Sequence, residues 1–299
     1  VYFTVYALLL APAVLAWLAS AVSRHLAPAA AVRVLTCLAT VAAGATVWGL
    51  AVLAVGGLAR TSQLQAYAHS SPAALAAADP VPGGLGAVAV VVLAVVVVRF
   101  AVTGRRRASG RRALSVVRSS PAAGDLIVLA GDHADAYALP GRPARIVVTV
   151  GMLRALSADE RAVLLAHERA HLTHHHHRYT ALAQAAAALN PLLNRVRDQI
   201  AFGIERWADE EAADAVASRQ LAARSLARAA LATTCVPGSP EALAYVRHRM
   251  AARVGALRTT CRPSRWSLLW PVATALLVTS VALIDVTVAL VRCLNVLIP

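Results

Sequence analysis

The sequence contains no lysine: 29 arginines face only 15 aspartates and glutamates, giving a formal net charge of +14. Arginine as the sole strong base, in a chain rich in alanine and valine, points to a GC-rich genome rather than to a nucleic-acid binder. Cysteine is scarce, and Cys37, Cys235, Cys261 and Cys293 form no close-spaced pair. That excludes a disulfide framework and a cysteine-ligated zinc site. Charge is absent altogether from Val1–Val22, Val34–Ala59, Val81–Val98 and Trp266–Ile284. About 20 apolar residues cross a bilayer as a helix, and these runs have no polar face at helical spacing, as the buried helices of a soluble protein would. With 59% hydrophobic residues and a mean hydropathy of +0.62, the chain reads as a mainly α, four-span membrane protein whose partner is the lipid bilayer.

The arginines are placed unevenly. Arg99, Arg105, Arg106, Arg107, Arg111, Arg112 and Arg118 follow the third apolar run at once, Arg24 and Arg33 lie between the first two, and Arg262 and Arg265 precede the fourth. By the positive-inside rule all three groups are cytoplasmic, so both termini lie outside and the segment from about 99 to 265 lies inside. Lipid headgroups are nearer partners for the arginine run than DNA. The first run has no basic leader and no small-residue cleavage site after it, so it reads as a retained anchor. The organisation expected is a three-span region (1–104), a cytoplasmic domain (105–265), and a fourth span with a short tail (266–299). Residues 60 to 85 form the only sizeable outer loop, too short and too rich in Ser, Ala, Pro and Gly for a folded sensor.

Within the cytoplasmic segment, "DLIVLAG" (125–131), "AYAL" (136–139) and "ARIVVTV" (144–150) read as short strands, with "PGRP" as a turn between the last two. Ser157 followed three residues later by Glu160 is a capping-box spacing that starts a helix. Asn190 and Pro191 break the next helical stretch, and another helix runs from about Leu193 to past Ala217. The apolar piece between them, 179 to 193, is short for a crossing. It is expected to be interfacial or packed on the spans.

The helix opened by Ser157 carries "LAHERAHLTHHHHRY" (165–179). His167 and His171 are four apart and share one helix face, the geometry by which two imidazoles hold one zinc ion. Glu168, beside the first ligand, can take a proton from an attacking water and pass it to a leaving amine. A catalytic zinc needs a third protein ligand. "GIERWADEEAADAVA" (203–217) offers Glu205, with Asp209 one turn on to fix the tautomer of a ligand histidine, or Glu210 with Asp214 at the same spacing. Spacing alone leaves the two registers open; Glu211 and the pair not used read as a solvated acidic face. His174 to His177, taken as consecutive positions on one helix, point all round it, so at most His174 or His175 faces the groove. Asp285, in the fourth apolar stretch, is read as reaching the headgroup layer. Arg219, just after the acidic helix, is a candidate for stabilising an oxyanion.

"AHERAHL" followed by "ERWAD" resembles the BlaR/MecR-type integral-membrane zinc metallopeptidases and, more distantly, the HtpX/Ste24 group. The resemblance extends over "YALPG" and "RIVVTVGML", from about 125 to 218, and to the arrangement of three spans plus one. It implies a zincin-like α+β domain with one Zn2+ held by His167, His171 and Glu205, catalysis by Glu168, and Asp209 behind a ligand; the "ERWAD" match favours Glu205 over Glu210. It also casts "ARIVVTV", with Ile146, Val147 and Val148, as the edge strand that takes an extended peptide. Family members that sense antibiotics carry a penicillin-binding domain after the last span. This chain ends at Pro299, so a form without that sensor is expected. The function implied is a membrane-embedded zinc endopeptidase acting on a protein or peptide, with a cytosolic transcriptional repressor as one substrate class. A metal transporter or sensor would place ligands within the spans, which hold no histidine, glutamate or paired aspartate. A non-catalytic receptor or scaffold would have no need of Glu168.

Overall fold

The computed structural model describes residues 2–59, 83–233, 240–259 and 269–297. The outer loop, Arg262, Arg265, Cys235 and Cys261 lie outside them. The helices are α1 (Tyr2–His25), α2 (Pro28–Ala59), α3 (Gly83–Arg118), α4 (Val150–Ala155), α5 (Ala158–Thr173), α6 (His176–Leu189), α7 (Asn194–Ala215), α8 (Arg219–Thr233), α9 (Pro240–Arg258) and α10 (Leu269–Leu297). A small sheet of β1 (Leu126–Leu129), β2 (Ala136–Leu139) and β3 (Arg145–Thr149) stands between α3 and α4.

Among the described residues four helices, α1, α2, α3 and α10, are long and apolar enough to cross a membrane. They follow from the uncharged runs, and each extends past its run, α3 and α10 the furthest. α3 continues through the arginine cluster as one helix of 36 residues, roughly 54 Å at 1.5 Å per residue. α10 continues to Leu297, which places Asp285 inside the helix. There it accepts a hydrogen bond from the Thr4 hydroxyl at 2.8 Å and ties α10 to α1. Asp285 is thus turned to the helix bundle, not simply to headgroups. α2 and α3 approach so closely that a Cβ on Gly57 would stand 2.5 Å from Gly86 Cα, a backbone contact that only glycine on both helices permits.

Helices α6 and α7 form a hairpin along α2. Gly203 of α7 lies against Val32, where a Cβ would come within 2.9 Å of a Val32 methyl. At the tip, Asn190 donates from Nδ2 to Thr46 Oγ1 at 3.2 Å and accepts from Leu192 N at 2.9 Å. Val32 and Thr46 are roughly 20 Å apart along α2 at 1.5 Å per residue. Ala183, Ala186, Leu193, Val196, Ile200, Ile204 and Trp207 pack with Val32, Leu35 and Ala39 in one buried cluster. Against lipid, this contact is held by close side-chain packing and the Asn190–Thr46 hydrogen bond rather than by removal of apolar surface from water. The segment expected to lie on the spans therefore does so, as the descending arm of a hairpin.

The strand order is β1-β3-β2, with β3 parallel to β1 and antiparallel to β2. This corrects the expected edge. Ile146, Val147 and Val148 are fully buried in the central strand, and an added strand finds no free backbone there. β2 is the edge on the side of α5.

Thr149 at the end of β3 caps α4 by accepting from Met152 N. Ser157 caps α5: its hydroxyl accepts from Glu160 N, and the Glu160 carboxylate accepts from Ser157 N at 2.9 Å. Glu160 is fully buried, and α8 latches onto it, Arg228 donating to both carboxylate oxygens at 3.0 and 3.1 Å and Ser225 donating to its carbonyl at 3.0 Å. α5 is not continuous through the histidines. It stops at Thr173, His175 adopts the left-handed conformation (φ 53°, ψ 42°), and α6 begins at His176. α7 likewise stops at Ala215, and Ala217 (φ 50°) turns the chain before the expected end.

Candidate metal centre

His167 and His171 project from the same face of α5, with their Nε2 atoms 3.1 Å apart. Glu205, brought across by α7, places Oε2 3.7 Å from His167 Nε2 and Oε1 3.8 Å from His171 Nε2. Four-coordinate zinc with bonds of about 2.0–2.1 Å has ligand atoms roughly 3.3 Å apart. Two imidazole nitrogens and a carboxylate at 3.1–3.8 Å therefore match the donor set and spacing of a zinc site with a position left open. The alternative register is turned elsewhere. Glu210 is held by Arg219 at 2.5 and 2.9 Å, and Asp214 is exposed.

The far nitrogen of each histidine also has a partner. His167 Nδ1 lies 3.1 Å from Asp209 Oδ1. Asp209 is gripped in turn by Arg253 of α9, whose Nε and NH2 donate to its two oxygens at 2.8 and 2.7 Å. NH1 of the same arginine stands 3.1 Å from Glu205 Oε2. His171 Nδ1 lies 2.9 Å from Nδ1 of His176. Burial opposes charge on His167, but the bonds to Asp209 and Glu205 outweigh it and push its pKa up to about 10. Burial carries His171 the other way, down to about 4, against the pull of Glu205. Burial acts against the charged forms of Glu205 and Asp209, yet the His167 bond and the Arg253 charge hold Glu205 low, and the bonds from Arg253 and His167 hold Asp209 low. Two carboxylates, Glu205 and Asp209, thus face the two imidazoles, and Arg253 balances part of their charge.

Glu168 is buried beside His167, and burial, with Glu205 near, holds its carboxyl above the usual range; the cationic His167 and a backbone hydrogen bond to Ala138 of β2 oppose that rise. Two cavities meet at His167, Glu168, Glu205 and Ala136: one of about 420 Å³ toward α8 and α9, and one of about 450 Å³ toward Tyr137, Arg107 and His177. Ala136 of β2 lines both, and Tyr137 and Ala138 line the second.

Several expected residues stand elsewhere. Arg219 is occupied by Glu210 and by the carbonyl of Leu257 at 2.9 Å, and lines neither cavity; it locks α8 to α9 and has no place as an oxyanion donor. Glu211 is exposed, as expected of a solvated acidic face, but it also has partners: it accepts from Trp207 Nε1 at 3.2 Å and lies 3.0 Å from His174 Nε2. His174 stacks on Trp207 with ring centres 4.5 Å apart, and the Arg33 guanidinium lies 4.9 Å from the centre of the Trp207 ring. His175 is exposed. The histidines that reach the cavities are His176 and His177, because the turn at His175 redirects the run. Arg253 and His176 are the two members of the site that spacing did not disclose.

Comparison with known proteins adds a class to this geometry. The family model of peptidase family M48 matches residues 102–203, about a third of the chain. The match spans the sheet and both histidines, stops just before Glu205, and supports a metallopeptidase, hence a hydrolase. No curated protein and no solved structure matches the chain.

Proposed function

We propose that the chain is a zinc-dependent endopeptidase of the bacterial cytoplasmic membrane that cuts a protein substrate at the cytoplasmic face. The observation that carries the proposal is the convergence of His167, His171 and Glu205 next to a buried Glu168, with both histidines and Glu168 on the segment matched by the peptidase family. When bound there, zinc lowers the pKa of a water to about 7 and polarises a carbonyl.

The rest falls to the protein's own side chains. Glu168, its carboxyl raised above the usual carboxylate range by burial, takes the proton of the attacking water and delivers it to the leaving amine. Asp209 accepts from His167 Nδ1 and so turns Nε2 of that ring to the metal. Arg253 neutralises Asp209 and keeps Glu205 in place. An extended peptide adds to the free side of β2, where the strand's outward backbone groups hold it across Glu168.

The cytoplasmic assignment draws on the arginines at the span ends. Arg99 donates to the carbonyl of Ala188, Arg107 to that of Thr180 and to the side chain of Gln184, and Arg33 covers Trp207. The basic ends of the spans thus meet the helices that frame the site, and basic ends face the cytoplasm. The test is cleavage by the purified protein of an unfolded protein substrate, in wild type and Glu168→Gln, with zinc content measured in both. Cleavage by the wild type alone, at equal zinc, supports the proposal; equal cleavage by both, or by neither, refutes it.

A further inference from the structure

We infer that His176 is the positioning residue for His171, holding it in the one tautomer that can bind the metal. The inference rests on the zinc site proposed above.

Three observations lead to it. His171 turns Nε2 toward His167 and Glu205 and Nδ1 toward His176, at 2.9 Å. His176 is 2% exposed, packed between the rings of His171 and Trp207 at 4.9 and 4.8 Å. Its Nε2 has no hydrogen-bond partner among the described residues.

A neutral imidazole carries one proton, so a ring that binds metal through Nε2 carries its proton on Nδ1. For His171 that proton points at His176 Nδ1, which must accept it. His176 then holds its own proton on Nε2, the atom buried without a partner. The opposite arrangement, His176 donating from Nδ1, would protonate His171 Nε2 and abolish its lone pair. The site therefore has two different supports, a carboxylate behind His167 and a neutral imidazole behind His171. Burying an unmatched N–H is unfavourable, and here it accompanies the only arrangement that leaves His171 able to coordinate. The left-handed residue His175 makes the contact possible: without that turn, a position five beyond His171 on a continuous helix would lie about 140° round the axis.

Side-chain replacement separates this role from packing. The amide oxygen of asparagine is attached to Cγ as Nδ1 is, so His176→Asn retains an acceptor facing His171. His176→Gln moves the amide out to the Nε2 end, and His176→Phe keeps a ring without any acceptor. Zinc affinity of the detergent-solubilised full chain, read by competition with a fluorescent chelator, is expected to fall about 10- to 100-fold in the Phe and Gln variants. The Asn variant should recover most of the loss. The unfolding midpoints of the zinc-free proteins report folding separately, and if the Phe variant fails to fold the Asn and Gln pair still decides. Wild-type affinity in His176→Phe, or Asn as weak as Gln, overturns the inference. A wild type that takes up no zinc at all overturns the metal reading itself and this inference with it, a result distinct from the other two.

Discussion

Arg253 donates two hydrogen bonds to Asp209, at 2.8 and 2.7 Å, from a helix 44 residues further along the chain. Both side chains are buried, and through them α9 is fastened to the carboxylate behind His167. Breaking a buried pair by removing one partner costs about 3–5 kcal/mol, because the other charge is left uncompensated. Arg253→Ala should therefore lower the thermal unfolding midpoint of the zinc-free protein sharply and weaken zinc binding. Arg253→Lys keeps the charge but not the planar fork, and should fall between. An Ala variant with unchanged stability would show that α9 is not held this way.

Glu205 and Glu210 differ by little more than one helical turn yet have separate partners, the histidine pair and Arg219 respectively. Zinc content measured on purified variants should drop to background in Glu205→Gln. It should stay at the wild-type level in Glu210→Gln, which loses only the ion pair tying α7 to Arg219 of α8. The reverse pattern would reinstate the other register.

At the far end of α5, the Ser157 amide holds the Glu160 carboxyl below the usual carboxylate range against the opposing effect of burial, with help from Arg228. A pKa that is lower folded than unfolded means the unfolded chain binds more protons in acid. The stabilisation is complete above about pH 4.5 and disappears as the pH falls through the lower folded value. Glu160→Gln should be less stable than wild type at pH 7, and the gap should close as unfolding is followed into acid. A gap that widened in acid would reverse the sign of the argument.

The α6–α7 hairpin makes a prediction about depth. Asn190 bonds Thr46 within α2, and Leu192 beside it is exposed on the bundle surface. If the apolar part of α2 lies in lipid, a cysteine at Leu192 in an otherwise cysteine-free chain should resist a membrane-impermeant maleimide from either side. One at exposed Asp214 should react from the cytoplasmic side. Equal labelling of both would place the hairpin in water.

Much of this architecture is visible in the sequence, for reasons that also explain what is not. The spans are runs without charge, and the histidine pair follows from a four-residue spacing on a helix; spacing narrows the third ligand to Glu205 or Glu210, and only the resemblance of "ERWAD" favours Glu205. His176 was hidden because its position depends on a left-handed turn at His175, a residue with no glycine-like signature. Arg253 was hidden because its contact is made only by tertiary packing of α9. The central place of β3 did have a signal: "RIVVT" is an unalternating apolar run, as expected for a strand buried on both faces, whereas the edge was assigned from its resemblance alone.

The central claim is that Glu168 performs peptide hydrolysis at a metal held by α5 and α7. The most direct measurement compares newly formed protein N-termini in cells expressing wild type and Glu168→Gln, with zinc content determined on both purified proteins. The account predicts termini that appear only with the wild type while both bind zinc equally. The same termini in both, or none in either with zinc bound, would contradict it.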